Sequence, residues 1–156
     1  MDEKTSNTKA YLREATMDDA ELILKWVNDP LDRANSRSSE PISRDEHLMW
    51  MEDSLADPNI YLYIMVWESH DVGHAKLYVM DDEAEIGYCI SPEWRGHGFA
   101  NRIIELVTDT VVETIPRIRY LIGEVKASNI PSRKALLHSG YEESSIIYRL
   151  DLASKA

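Results

Sequence analysis

Apolar residues recur along this chain with two different periods, and the change between them separates strands from helices. Residues 11–15, with Leu12 flanked by polar side chains, read as a first strand. Thr16, Asp18 and Asp19 supply a cap and first-turn acids for a helix over about 18–28, apolar at Ala20, Ile23, Leu24 and Val27. Asn28-Asp29-Pro30 closes it, because the residue before a proline avoids helical angles. Residues 31–41 show no period and read as irregular. Ser43 opens a second helix with Glu46 as its capping-box partner, and His47, Leu48, Met51 and Leu55 form one side of it. Residues 60–67, rich in Tyr, Ile and Val, read as a buried strand; turns at 68–71 and 81–83 lead to further strands over 72–80 and 84–90. A helix from 98 to about 114 carries Ile103, Ile104, Leu106, Val107 and Val111 at helical spacing. A strand over 119–125, a helix over 130–138 and a last strand over 145–152 complete the pattern. Grouped strands followed by alternation with helices predict an α/β fold with a mixed sheet, in one domain over residues 1–156.

The segment 85–100 carries the most chemistry. A strand runs into Ser91-Pro92, then Gly96 and Gly98 open the long helix. That arrangement leaves unpaired backbone N–H groups at the positive end of a helix dipole, where anions bind. Glycines there can take positive φ and let phosphate oxygens approach the main chain, and Ala100 keeps the first turn open, so a pyrophosphate is the expected guest. The segment lacks the Gly-Lys-Ser/Thr ending of a nucleoside triphosphate loop, and the third glycine and acidic ribose partner of a dinucleotide fold.

Arg95-Gly96-His97-Gly98-Phe99-Ala100 instead resembles the Arg/Gln-x-x-Gly-x-Gly/Ala signature of the GNAT superfamily of N-acetyltransferases. Asn129-Ile130-Pro131-Ser132 followed by Ser139-Gly140-Tyr141 is similar to that family's Asn-x-x-Ser/Ala and Gly-Phe/Tyr element, and the resemblance extends over residues 11–150. It implies a twisted, mostly antiparallel sheet of about six to seven strands flanked by about four helices. It also implies acetyl-coenzyme A as co-substrate, with the pyrophosphate on Arg95, Gly96, His97, Gly98, Phe99 and Ala100. Pantetheine would pair with the strand through Tyr88, Cys89 and Ile90, with an N–H near Ile90 facing the thioester oxygen. Asn129 would reach the pantetheine arm, and Ser132 and Arg133 would lie near the cofactor's phosphate end.

Composition narrows the setting. Hydrophobic residues make up 44% and charged residues 29%, the balance of a soluble globular domain. No apolar run is long enough to span a bilayer, and residues 1–10 are polar and expected to be flexible, without a leader's apolar centre. One cysteine, Cys89, excludes an internal disulfide and a cysteine-rich metal site, which points to the cytoplasm and to no metal. A net charge of −11 argues against a nucleic-acid partner and favours cationic ligands, so coenzyme A needs local basic groups such as Arg95, Arg102 and Arg133. The expected partners are acetyl-coenzyme A and a small-molecule amine, with neither nucleic acid nor membrane; a homodimer is left open.

Members of the family let a neutral amine attack the thioester directly. That chemistry needs a base for the ammonium, donors for the carbonyl oxygen and, where available, an acid for the thiolate. Glu85 is the first candidate base and His74 the second; each also reads as structural, a solvated strand-end acid and a strand histidine. Where many members carry a tyrosine acid, seven positions after the asparagine, this chain has Leu136, leaving Tyr88, Ser132 or water to serve the thiolate. Cys89 and Tyr141 read as core, and His97 as facing water.

The acceptor side is read from Trp26, Asn28-Asp29-Pro30, Arg33, Arg37, His47 and Trp50. Trp-x-Asn-Asp-Pro followed by Glu-His-x-x-Trp resembles the subgroup that acetylates amino-sugar nucleotides, as in the making of pseudaminic acid for bacterial surface glycans. Tryptophan faces would stack on a base or sugar, and Arg33 and Arg37 would hold a diphosphate. The same tryptophans also read as helix packing. Acetylation of a cationic amine (an aminoglycoside, a polyamine or a protein N-terminus) and a coenzyme A–binding module without catalysis are the competing readings.

Overall fold

In the computed structural model, which describes residues 9–155, the first strand signals fold into an antiparallel meander. β1 (Tyr11–Glu14) pairs with β2 (Ile60–Trp67), β2 with β3 (His70–Met80) and β3 with β4 (Glu83–Ile90). β5 (Tyr120–Gly123) joins β4 in parallel, giving the order β1-β2-β3-β4-β5. Glu68 and Ser69, with φ of 44° and 67°, form the tight left-handed turn that suits the twist of the β2–β3 hairpin. The helices are α1 (Ala20–Val27), α2 (Pro30–Asn35), α3 (Arg44–Ala56), α4 (Phe99–Thr114) and α5 (Ile130–His138).

Alternation along the strands produces two cores, one on each face of the sheet. Leu77, Val79, Ala84 and Ile86 turn toward α4 and α5, meeting Phe99, Ile103, Ile104, Val107 and Leu136. Leu62, Ile64, Val66 and Cys89 turn the other way, onto Ile23 and Trp26 of α1 and Met51 of α3. The α1 side is locked at its start by a capping box between Thr16 and Asp19. Arg13 of β1 holds the Asp19 carboxylate bidentately at 2.8 and 2.9 Å and also reaches Asp71 at 3.2 Å. That fork keeps the Asp19 carboxyl below its ordinary range, against the opposing cost of burial.

Three expectations about the elements change. The sheet has five strands among the described residues rather than six or seven, because residues 145–152 form no strand. After Gly140 (φ 93°) closes α5 and the Tyr141 N–H bonds to the Leu136 carbonyl, Ile146, Ile147, Tyr148 and Leu150 lie exposed. Alternation makes a strand only where an edge accepts it. Among the described residues five α-helices replace the expected four, because Pro30 begins α2 instead of merely ending α1: Asp29 caps it from outside and proline suits the first turn. The expected flexible start falls on residues outside the described region up to residue 8, while Ala10 is already buried. No helix among the described residues is long and apolar enough to cross a membrane.

Candidate active site

β4 delivers the chain to the glycine loop. Ser91 is buried and its N–H bonds to the Val72 carbonyl at 2.8 Å; a short 3-10 turn, Pro92–Trp94, then leads to Arg95. Gly96 and Gly98 both adopt the left-handed region, with φ of 81° and 76°. A Cβ on Gly96 would meet nothing within 4 Å, so its backbone angle rather than crowding demands glycine. Gly98 caps α4 without any side-chain hydrogen bond, which leaves the first-turn amides of a 16-residue helix without a capping side chain. One turn on, the Arg102 Nε is buried without a partner, while its Nη1 holds Glu105 at 3.0 Å. Main-chain donors, open space at Gly96 and an orphaned guanidinium N–H fit a pyrophosphate.

The side chains of the loop anchor it. Phe99 is in the core, with Trp67 and Trp94 at 5.6 and 6.2 Å centroid distance, so its contribution to a ligand is its amide alone. Ala100 packs on the same core. His97, expected to face water, has an exposed side but stacks on Phe99 at 6.0 Å, with Nδ1 at 3.1 and 3.0 Å from the Trp94 and Arg95 carbonyls. Arg95 points across to the acceptor side: its Nη2 lies 2.7 Å from Asp29 Oδ2, and that hydrogen bond depresses the Asp29 carboxyl.

Next to the loop the sheet opens. β4 and β5 pair only as far as Ile86 and Gly123, so among the described residues the outer edge of Gly87, Tyr88, Cys89 and Ile90 has no strand partner while β3 holds the inner edge. Leu136 sits under the point of divergence, where a Cβ on Gly123 would lie 2.9 Å from its Cδ1. The gap is bridged on that face by the Tyr88 hydroxyl and Ser132 Oγ at 2.6 Å. Asn129 caps α5, its Oδ1 accepting from the Ser132 N–H at 3.4 Å, and so sets the serine in place. Burial raises the Tyr88 phenol, with the Ser132 bond opposing. Tyr141 beside it has a buried hydroxyl without a partner and a pKa pushed up to about 12, chiefly by desolvation. Arg133 instead binds the Ala127 carbonyl at 3.0 Å and Glu143 at 3.1 Å, closing its own loop.

The opposite face is held by long polar side chains. Asn28 exchanges two hydrogen bonds of 2.8 Å with the Ile42 backbone, and Arg33 donates to the carbonyls of Val27, Ser38 and Glu40 and to Ser36 Oγ. Arg37 reaches Glu85 at 3.2 Å and Glu124 at 3.0 Å, and Lys126 donates to the Ala34 carbonyl at 2.8 Å. Thus residues 34–42 are strapped across the open sheet. Asp32, in the first turn of α2, puts its carboxyl beside the Cys89 thiol; burial raises both groups.

Several residues read as acceptor-binding or catalytic are packing residues here. Trp26 is 3% exposed and lies parallel to the His74 ring at 6.3 Å. His47 is buried with Nε2 2.8 Å from the Ala20 carbonyl, and burial lowers its pKa. His74 is buried with Nε2 unpartnered and a pKa lowered to about 3, first by desolvation and then by Lys76 and His47; such a group is a poor proton acceptor near neutral pH. Trp50 is half-buried, with Lys76 Nζ 5.7 Å from its ring centre. Asp32 and Glu124 carried no legible signal, since nothing in their spacing places them together, whereas Asp29 was read as part of the Asn28-Asp29-Pro30 run.

The family model of the acetyltransferase (GNAT) domain matches residues 9–142. The chain belongs to this acetyltransferase family. No curated protein sequence matches it. Solved structures share the GNAT fold: the aminoglycoside acetyltransferase AAC(6')-Ib with ribostamycin and coenzyme A (15% identity, 89% of this chain and 86% of that one, TM-score 0.79), and spermidine N-acetyltransferase from Vibrio cholerae with coenzyme A and spermine (20%, 88% and 83%, 0.81). A domain from Methanocaldococcus jannaschii aligns at 22% identity over 87% and 90%, with a TM-score of 0.77. Leu136, at the position where many family members carry a tyrosine, is a buried core residue.

Proposed function

We propose that this acetyltransferase moves the acetyl group of acetyl-coenzyme A to a primary amine of a cationic small molecule, of polyamine or aminoglycoside type. One observation carries the choice of acceptor. At the mouth of the divided sheet, Glu85 and Glu124 jointly hold a cation, the Arg37 guanidinium of the chain's own strap. Arg37 is 74% exposed, and ion pairs of that kind contribute little, so an incoming ammonium can take its place. The net charge of −11 draws such an ammonium in. Solved structures of this fold that hold coenzyme A with ribostamycin or with spermine support the reading.

Bound acetyl-coenzyme A supplies an activated carbonyl. The amides from Gly96 to Ala100, with Arg102, hold its pyrophosphate, and the free edge at Gly87, Tyr88, Cys89 and Ile90 takes the pantetheine arm as an added strand, with Asn129 beside it. The Ile90 N–H faces the carbonyl oxygen, where developing charge needs a donor. The Tyr88–Ser132 pair protonates the departing thiolate, the task Leu136 cannot perform. Glu85 lies four residues before Cys89 on one face of β4, about 13 Å away along the strand. That separation suits it to a remote charge of an extended acceptor, with Glu124.

The amino-sugar nucleotide reading has less support. Asn28 and Asp29 organise the strap, the Arg33 donors are occupied by carbonyls, and Trp26 is buried. An acceptor panel read by free thiol release separates the readings: spermidine, an aminoglycoside, a peptide N-terminus and a UDP-linked 4-amino sugar. Turnover of the polycations with KM rising steeply with salt is expected. Turnover confined to the sugar nucleotide would move the assignment there, and no thiol release with any amine would leave a binding module.

A further inference from the structure

We propose that Asp32 is the group that receives the acceptor's ammonium and takes its proton, a role neither the spacing of the sequence nor the family match assigns. It rests on the acetyltransferase reading above. The geometry is specific. Asp29 caps α2, accepting from the Leu31 N–H at 3.1 Å and the Asp32 N–H at 3.4 Å, and so fixes the helix's first turn over the sheet. That places the Asp32 carboxyl beside the Cys89 thiol, and Cys89 lies within the stretch of β4 whose outer edge has no strand partner. Among the described residues no ion pair holds the Asp32 carboxylate, whose hydrogen-bond partner is the Cys89 thiol, whereas Asp29 is taken by Arg95 and Glu85 lies about 13 Å from Cys89 along β4. The other charged or titratable groups facing it are Arg33 on its own helix, Lys76 of β3, Arg95 of the loop and Cys89 of β4. Arg33 and Arg95 have partners of their own, and Lys76 lies near the rings of Trp50 and Tyr78 at 5.7 Å.

Desolvation raises the Asp32 carboxyl, the direction that makes a carboxylate a better proton acceptor near neutral pH. The step balances as follows. Asp32 takes one proton from the ammonium; the freed nitrogen pair forms the C–N bond to the thioester carbonyl carbon; the C–S bond breaks and its electron pair leaves on sulfur. The thiolate gains a proton from the Tyr88–Ser132 pair, the new amide nitrogen gives up its second proton through water to restore that pair, and Asp32 returns its proton to water. The net products are an amide, a thiol and one released proton.

The test is the pH profile of kcat/KM for Asp32→Asn, using the best acceptor of the panel and acetyl-coenzyme A. About a 10²-fold fall with loss of the acid limb is expected, the size typical of removing a general base, with thermal protection by coenzyme A unchanged. A wild-type rate, or an acid limb unmoved in the variant, overturns the assignment while leaving the acetyltransferase reading intact. Should Asp32→Asn lose coenzyme A protection, Asp32→Glu decides: a displaced acid limb supports the role, and an unmoved one overturns it. Failure of the wild-type protein to acetylate any amine would instead strike the function itself.

Discussion

The two faces of the divided sheet are built on different principles. The side proposed to hold coenzyme A is built from backbone geometry: two left-handed glycines, a helix N-terminus and a strand edge, braced by Trp67, Trp94 and Phe99. On the proposed acceptor side, charged side chains join distant parts of the chain, Arg37 to Glu85 and Glu124, Arg95 to Asp29, and Lys126 to Ala34. A backbone site is rigid and general, suited to a co-substrate that never changes. A site made of replaceable ion pairs can be re-specified by single substitutions, and it yields to a competing cation.

The largest effect that would break this contrast is on the coenzyme side. Gly98→Val forces a β-branched residue into φ 76° at the cap of α4 and fills the approach to its amides. Protection by coenzyme A in a melting titration should vanish, while the fold, followed by far-UV circular dichroism, persists. Retained protection would mean that the main chain there does not hold the ligand.

Acid sensitivity belongs to the acceptor side. His74 has a folded pKa of about 3, below the unfolded value near 6.5, so the unfolded chain takes up the proton first. Stability is therefore full above about pH 6.5 and falls as pH drops toward 3, by an amount on the order of 4 kcal/mol for this one group. Denaturant unfolding of the wild type and His74→Gln across that window should show a flatter pH dependence in the variant; equal slopes would remove His74 as the cause.

The smallest expected effect sharpens the acceptor side alone. Arg37→Ala frees Glu85 and Glu124, and KM for a polyamine should fall about three- to tenfold with kcat little changed, in keeping with the modest energy of an exposed ion pair. Adding Glu124→Gln should reverse that gain. A rise in KM on removing Arg37 would show that the guanidinium binds the acceptor rather than standing in for it.

The backbone geometry of the glycine loop and the helix it opens was legible from local pattern. Gly96, Gly98 and the apolar stripe of α4 lie within a few residues of one another, and their consequences are local: a left-handed turn, a helix start, a buried face. The Asn129 cap and Ser132 are equally local, although the contact of Ser132 with Tyr88 is not. The acceptor half resisted for the opposite reason. The Trp-x-Asn-Asp-Pro run signalled that something was organised there, but Asn28 serves Ile42, Asp29 serves both α2 and Arg95, and Trp26 goes inward to His74.

By itself, then, the sequence determined the alternation that makes the meander, the glycine turn that opens α4 and, through them, the acetyltransferase family. Tertiary structure alone decided that β4 and β5 part after Ile86 and Gly123, that residues 145–152 find no edge, and that Asp32 comes to Cys89. The division follows from range: backbone angles and hydrophobic periods act within one or two turns of chain. Burial and charge pairing depend on which segments meet, and no local pattern records that.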